Sequence, residues 1–170
     1  MSEELKYITF NADMGWVGIL ASAKGLLGTT LPQCSAQEAC QLLGDRINQA
    51  AWSPRLFNDL VERLKAYFSG RKATFPDKLD LSGATPFQRK VWEITRLIPY
   101  GETRSYLLVA EQIKRPRIVR AVGQALSRNP LPVIVPCHRV VASDGRLGGF
   151  SGGVERKMSL LRLEASATIG

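Results

Sequence analysis

Residues 105–128, SYLLVAEQIKRPRIVRAVGQALSR, decide the fold of the second half of this chain. The spacing predicts a short helix over residues 105–114 with Leu108 and Ile113 inward, a turn at Arg115-Pro116, and a second helix over residues 117–128. Helix, short turn, helix is the outline of a helix-turn-helix. In the second helix Ile118, Val122, Ala125 and Leu126 recur at helical spacing and should pack inward. Arg117, Arg120, Gln124, Ser127 and Arg128 fall on the other side, and Ala121 and Gly123 leave the backbone there nearly bare. An ordinary solvated face mixes Glu with Lys and avoids Gly, which costs about 1 kcal/mol relative to Ala inside a helix. No acid occurs between Lys114 and Arg139. A basic, bare face suits close approach of a nucleic acid.

Just downstream lies Val133-Ile134-Val135-Pro136-Cys137-His138-Arg139-Val140-Val141. Its two β-branched runs predict a buried, extended segment. His138 is the only histidine of the chain and adjoins a cysteine. A thiol is a useful nucleophile only as thiolate, and a neighbouring imidazole or cation is the usual means of forming one near neutral pH. The pair by itself also fits a structural cysteine in a strand. Asn129-Pro130 closes the second helix, and Asp144-Gly145 marks a turn. The loop Leu147-Gly148-Gly149-Phe150-Ser151-Gly152-Gly153 lacks the Lys-Ser/Thr of a phosphate-binding loop and reads as a segment lying close to a ligand. A last helix over residues 154–165 should turn Met158, Leu160 and Leu161 inward. Glu164 sits near its end, where the helix dipole disfavours a carboxylate, so a partner such as an imidazole is expected.

The first half has a different character. Residues 5–11, 16–21 and 26–31 read as three short strands of an antiparallel meander, with turns at Met14-Gly15 and Lys24-Gly25. Ser35 and Glu38 form a capping box that opens a helix to about Ile47, and Ser53-Pro54 opens another to Phe68. No catalytic motif falls here. Residues 71–85 are linker-like, and Thr85-Pro86-Phe87-Gln88 opens a helix to about Ile98. The expected fold is α+β. A small N-terminal α/β domain with an antiparallel sheet spans residues 1–84, linker included. A mostly helical C-terminal domain, residues 85–170, carries the helix-turn-helix and Cys137.

Bulk properties bound the function. At 170 residues and 45% apolar content the chain can bury a core, and no apolar run approaches the ~18 residues of a membrane span. The acidic start, Met1-Ser2-Glu3-Glu4-Leu5, is unlike a secretory signal. Cys34, Cys40 and Cys137 are an odd number without framework spacing and read as reduced thiols, with a Cys34–Cys40 pairing left open. One histidine and no paired Cys-x-x-Cys argue against zinc. Net charge is +8, and the excess lies in residues 86–170, with 14 Lys/Arg against 6 Asp/Glu. That field suits a polyanion.

Six elements in register resemble one family, the O6-alkylguanine-DNA alkyltransferases, or methylated-DNA–protein-cysteine methyltransferases. They are Thr85-Pro86-Phe87-Gln88, Gly101-Glu102-Thr103-Arg104-Ser105-Tyr106, Arg120-Ala121-Val122-Gly123, Asn129-Pro130, Pro136-Cys137-His138-Arg139-Val140 and Gly148-Gly149-Phe150-Ser151-Gly152-Gly153. The first 84 residues match only in outline.

The resemblance implies a function and a site. The chain would remove alkyl groups from guanine O6 in double-stranded DNA by one irreversible transfer to Cys137, after flipping the base through the minor groove. His138 would act as base through a bridging water, and Glu164 would orient it. Tyr106 would sit by the flipped base and help protonate the leaving guanine. Asn129 would pin the turn before the cysteine. Arg120 would enter the base stack, with Arg117, Ala121, Gly123, Gln124 and Arg128 along the DNA. Ser151 would bond O6, the carbonyls of Cys137 and Val140 would take the exocyclic amine, and Phe150 would line the pocket. Phe150 stands where some members have Tyr, and Ile118 and Val119 where many have smaller residues. No cofactor or metal and no membrane are implied. A monomer is expected, in the cytoplasm with the nucleoid, or in the nucleus of a eukaryote. The competing readings are a helix-turn-helix regulator using Cys137 as an alkylation or redox sensor, a base-flipping binder that transfers nothing, and a cysteine hydrolase.

Overall fold

Tight turns and alternating apolar residues build the first sheet. The computed structural model describes residues 4–150 and 152–169. Strands β1 (Leu5–Ala12), β2 (Gly15–Ser22) and β3 (Gly25–Thr29) form the expected antiparallel meander. Gly15 has φ +135°, and a Cβ there would lie 2.6 Å from the Gln33 carbonyl oxygen, so only glycine fits that turn. Helix α1 (Ala36–Leu43) starts at the Ser35 cap, whose hydroxyl accepts from the Glu38 amide. It ends at Gly44, φ +91°, short of Ile47, and a 3-10 turn, Asp45–Gln49, replaces its last part.

That turn feeds a strand absent from the sequence reading. β4 (Ala50–Trp52) pairs parallel to β1, giving the order β3-β2-β1-β4, so the sheet is mixed rather than purely antiparallel. Three residues are too few to show a period. Helix α2 (Asn58–Phe68) begins later than Ser53-Pro54 predicts, because residues 54–57 form turns. It buries Leu60, Val61, Leu64, Tyr67 and Phe68 as its spacing demands, whereas Leu56 is exposed.

The linker-like stretch is not a free tether. Arg63 grips Asp77 with two bonds of 2.8 Å, and Leu26 pairs with Leu79 as an isolated bridge. The chain divides into two compact units between Ser82 and Gly83.

The second unit opens with α3 (Pro86–Arg96), where Thr85 and Gln88 form both bonds of the capping box. A two-residue strand, β5 (Arg104–Ser105), leads into α4 (Tyr106–Gln112), and Ser105 caps it by accepting from the Leu108 amide. Residues 113–118 turn the chain into α5 (Val119–Ser127). Both helices are shorter than their patterns suggest, and Lys114, with φ +66°, takes the left-handed conformation that stops α4. Val122, Ala125 and Leu126 are buried as expected, with Val109 and Ala110 from α4. Trp92 of α3 donates its indole N–H to the Ala125 carbonyl at 2.8 Å.

Residues 131–141 depart most from expectation. The segment is buried, but Cys137–Arg139 form a 3-10 turn, and only β6 (Val140–Val141) is strand. β6 pairs parallel with β5, Arg104 opposite Val140 and Ser105 opposite Val141. Helix α6 (Val154–Ile169) closes the unit. Its inward positions are Lys157, Leu160 and Glu164; Met158, expected inside, is exposed. Among the described residues no helix is long and apolar enough to cross a membrane.

Candidate active site

The site follows from one turn. A 3-10 helix has about 3 residues per turn, so successive side chains leave roughly 120° apart. Cys137, His138 and Arg139 therefore point three ways from one spot.

Cys137 borders a cavity of about 540 Å³. The cavity is lined also by Tyr106 of α4, by Arg120, Gly123 and Gln124 of α5, and by Gly149 and Phe150 of the glycine loop. The β5–β6 pair creates this meeting, because β5 runs directly into Tyr106 and β6 runs directly out of the cysteine turn. Asn129 donates from Nδ2 to the Val135 carbonyl at 2.9 Å and to Cys137 Sγ at 3.3 Å, while its Oδ1 accepts from the Leu131 amide. Burial pushes the Cys137 thiol up, and the Asn129 bond and the Lys157 charge only partly offset it. At neutral pH the resting sulfur thus holds its proton.

His138 is fully buried and turns to α6, where its Nε2 meets Glu164 Oε2 at 2.5 Å. Burial alone would raise the Glu164 carboxyl, but the bonds from His138 and Arg139 reverse this and hold it at about 2. An ionised carboxylate accepts, so Nε2 carries the proton and Nδ1 is the basic nitrogen. Burial holds His138 below the ordinary imidazole value despite Glu164, and Arg139 and Lys157 add to the lowering. It is a neutral imidazole at pH 7.

Arg139 completes the arrangement. Its Nε donates to Glu164 Oε1 at 2.9 Å, Nη2 to Oε2 at 3.1 Å, and Nη1 to the Ile98 carbonyl at 2.8 Å. The Gly101 amide also donates to Oε1, at 3.0 Å. Glu164 has the expected imidazole partner, but it does not sit at a helix end, because α6 continues to Ile169 and its last turn lies beyond Glu164.

The other expected residues are placed as follows. Arg117 is exposed in the turn before α5, Arg128 caps the end of α5, and half-buried Ala121 lies on that helix. Val140 is buried, with its carbonyl on Lys157. Ser151 lies outside the described residues. Val119 lines the cavity, and Ile118 stands half-buried before α5. Cys34 and Cys40 are free thiols. Among the described residues no three His, Cys, Asp or Glu side chains gather as a metal would need.

Sequence reasoning missed Lys157 and the work of Arg139. A signal existed for Lys157: positions 157, 160 and 164 share one helical face, so a lysine stands where the pattern asks for an apolar residue.

Residues 86–166 match the family described as 6-O-methylguanine DNA methyltransferase, DNA binding domain. The methylated-DNA–protein-cysteine methyltransferase of Mycolicibacterium paratuberculosis is 50% identical over 119 residues, covering 69% of this chain and 72% of that protein. This chain belongs to the methylated-DNA–protein-cysteine methyltransferases. Within that family, the Mycobacterium tuberculosis O6-methylguanine methyltransferase superposes with a TM-score of 0.80 at 37% identity, covering 96% of this chain and 94% of that one. Mycobacterium tuberculosis OGT in complex with DNA matches equally well, with a TM-score of 0.80 at 39% identity over 95% of this chain and 94% of that one. The methyltransferase identity accounts for a cysteine set between a basic helix and a buried histidine.

Proposed function

We propose that this methyltransferase repairs duplex DNA by moving an alkyl group from guanine O6 to its own Cys137, once per chain. The observation that carries the reading is the placement of Cys137. Its sulfur borders a cavity walled by the basic helix α5, while the His138–Glu164–Arg139 cluster lies buried beside it. DNA is the partner, and an O6-alkylated guanine is the substrate.

An O6-alkyl carbon cannot be reached inside a stacked duplex, so the base must swing out, at a cost of a few kcal/mol. Arg120 lines the cavity mouth from α5 and is long enough to fill the gap in the stack. Gly123 leaves the α5 surface bare beside the Tyr106 ring, 3.9 Å from where a Cβ would stand. His138 Nδ1 takes the thiol proton through a water, and Glu164 stabilises the resulting imidazolium. The thiolate attacks the alkyl carbon, an S–C bond forms, the C–O6 bond breaks, and its electrons leave with guanine. Burial, with the Cys137 thiolate adding to it once formed, raises the Tyr106 phenol, so it stays protonated; its O–H, which rests on the Gly149 carbonyl at 3.2 Å, turns to the leaving base. A thioether is a poor leaving group, so the protein is consumed.

Residues 85–170, within the unit that begins at Gly83, form the DNA-binding and catalytic domain, and residues 1–84 form the N-terminal α/β domain. Every site residue comes from the C-terminal unit, which supports action as a monomer, in the compartment that holds the DNA.

The test is stoichiometry. Excess duplex carrying labelled O6-methylguanine should leave about one label per chain, and none in Cys137→Ser. Many turnovers per chain, or tight binding without transfer, would refute the reading and favour a hydrolase or a sensor.

A further inference from the structure

Lys157 is the one fully buried ammonium-bearing side chain among the described residues, and nothing in the transfer step above uses it. Its Nζ donates to three oxygens: the Val140 carbonyl at 2.6 Å, the Gly149 carbonyl at 3.1 Å and the Tyr106 hydroxyl at 3.3 Å. The ammonium also lies 5.4 Å from the centre of the Tyr106 ring. These acceptors belong to three separate stretches of chain: the strand after the cysteine turn, the glycine loop, and the start of α4.

Each acceptor bears on the base cavity. Tyr106 and Gly149 line it, and Val140 follows the cysteine turn. Among the described residues between β6 and α6, the loop that carries Gly149 has no helix or strand to hold it. It nevertheless lies hard against Tyr106, because a Cβ on Gly148 would meet the phenol oxygen at 2.7 Å. Two donors, Tyr106 and Lys157, converge on the Gly149 carbonyl. A buried charge costs several kcal/mol unless it is well bonded, and a methionine would fill the same space without that cost. The charge fixes two cavity-lining groups, the Tyr106 hydroxyl and the Gly149 carbonyl, together with the carbonyl that follows the cysteine turn.

We propose that Lys157 is a positioning residue that latches the glycine loop and the Val140 carbonyl into a preformed guanine pocket. The inference rests on the alkyl-transfer reading of the same site. Protonated Lys157 offers three donors to three acceptors, and the neutral amine offers one fewer. Burial lowers its ammonium to about 8, partly opposed by Cys137, so the latch should loosen on the alkaline side of neutrality. The other titratable groups that face it are Tyr106 on α4 and Cys137 and His138 on the cysteine turn, and His138 is in turn held by Glu164 of α6 beside Arg139. Of these, Tyr106 and Cys137 titrate above neutrality and are both shifted upward.

The test compares two reactions of Cys137 in the full chain, wild type against Lys157→Met. One is transfer from duplex O6-methylguanine, which needs the pocket; the other is alkylation by iodoacetamide, which does not. Loss of the Lys157 charge slows thiolate formation equally in both, so the ratio isolates positioning. The duplex reaction should fall about 100-fold further than the iodoacetamide reaction, the scale of a 1 Å misplacement. Equal losses would overturn the latch and leave Lys157 as an electrostatic aid to the thiolate. A second readout is NMR: the carbonyl carbon of Gly149, which accepts from Lys157 Nζ, should shift between pH 7 and 9 in the wild type and stay level through that range in Lys157→Met. A Gly149 shift that is level in the wild type, or that moves equally in both proteins, would also overturn the latch. If wild-type protein takes no label from duplex, the alkyl-transfer reading fails instead, while the Gly149 shift still reports on the latch.

Discussion

Replacing Arg139 with Met should show how much the buried carboxylate depends on its cation. Glu164 is 1% exposed and stays ionised. Its carboxyl falls from an ordinary 4.5 to about 2, although burial pushes the other way. A shift of that size corresponds to about 3 kcal/mol in favour of the charged form. Arg139 contacts both oxygens, whereas His138 and the Gly101 amide hold one each. Removing one partner of a buried ion pair typically costs about 3–5 kcal/mol. Arg139→Met should therefore lose that amount in urea unfolding at pH 7, followed through amide exchange of α3 and α5. The melting temperature should fall by roughly 6–20 °C, taking about 2–4 °C per kcal/mol for a chain of this size. In a Glu164→Gln background the same change should cost about 1–2 kcal/mol, since a neutral amide tolerates the missing cation. A loss below about 1 kcal/mol, or equal losses in both backgrounds, would refute the claim that the buried Glu164 carboxylate depends on Arg139.

Further outcomes follow from the same contacts. The depressed Glu164 carboxyl adds stability that is fully present above about pH 4.5 and lost as pH falls towards 2; urea midpoints should decline through that window and stay flatter in Glu164→Gln. His138 sits below the ordinary imidazole value of 6.5, so the transfer rate should remain level to below pH 6.5; a fall centred above 6.5 in a pH–rate profile would contradict a neutral resting base. Asn129→Ala removes a donor to Cys137 Sγ and one to the Val135 carbonyl, and should raise the thiol pKa read by iodoacetamide titration while costing about 1–3 kcal/mol of stability. Arg120→Ala should slow repair of duplex far more than reaction with free O6-benzylguanine, and equal losses would remove its role in base extrusion.

Local patterns were legible in the sequence. The Thr85–Gln88 capping box, the Ser35 cap and most of the buried faces of α2 and α5 rest on residues three or four apart and stand where their patterns put them, the exceptions being Leu56 and Ile118 just before the two helices begin. The Cys137-His138 pair beside a bare basic helix already pointed to a thiolate presented to DNA, and the family's motifs narrowed that to alkyl transfer. Extended backbone around Cys137 was misread, since β-branched composition reports burial and not the 3-10 turn that Pro136 initiates. β4 and the late start of α2 escaped for want of a period.

Tertiary structure decided how those parts meet. Only the β5–β6 pairing carries Tyr106 to Cys137. Only the fold brings Glu164 to the Gly101 amide, 63 residues away, and to His138 and Arg139, 26 and 25 residues away. In the sequence Lys157 is one of 14 Lys/Arg in residues 86–170, and only the packing of α6 turns it inward onto three oxygens. The physical reason is range. Caps and helical faces are set by neighbours along the chain and leave a readable period. A buried ion pair or a lysine latch joins residues whose spacing obeys no period, and its energy exists only once water has been excluded around both partners.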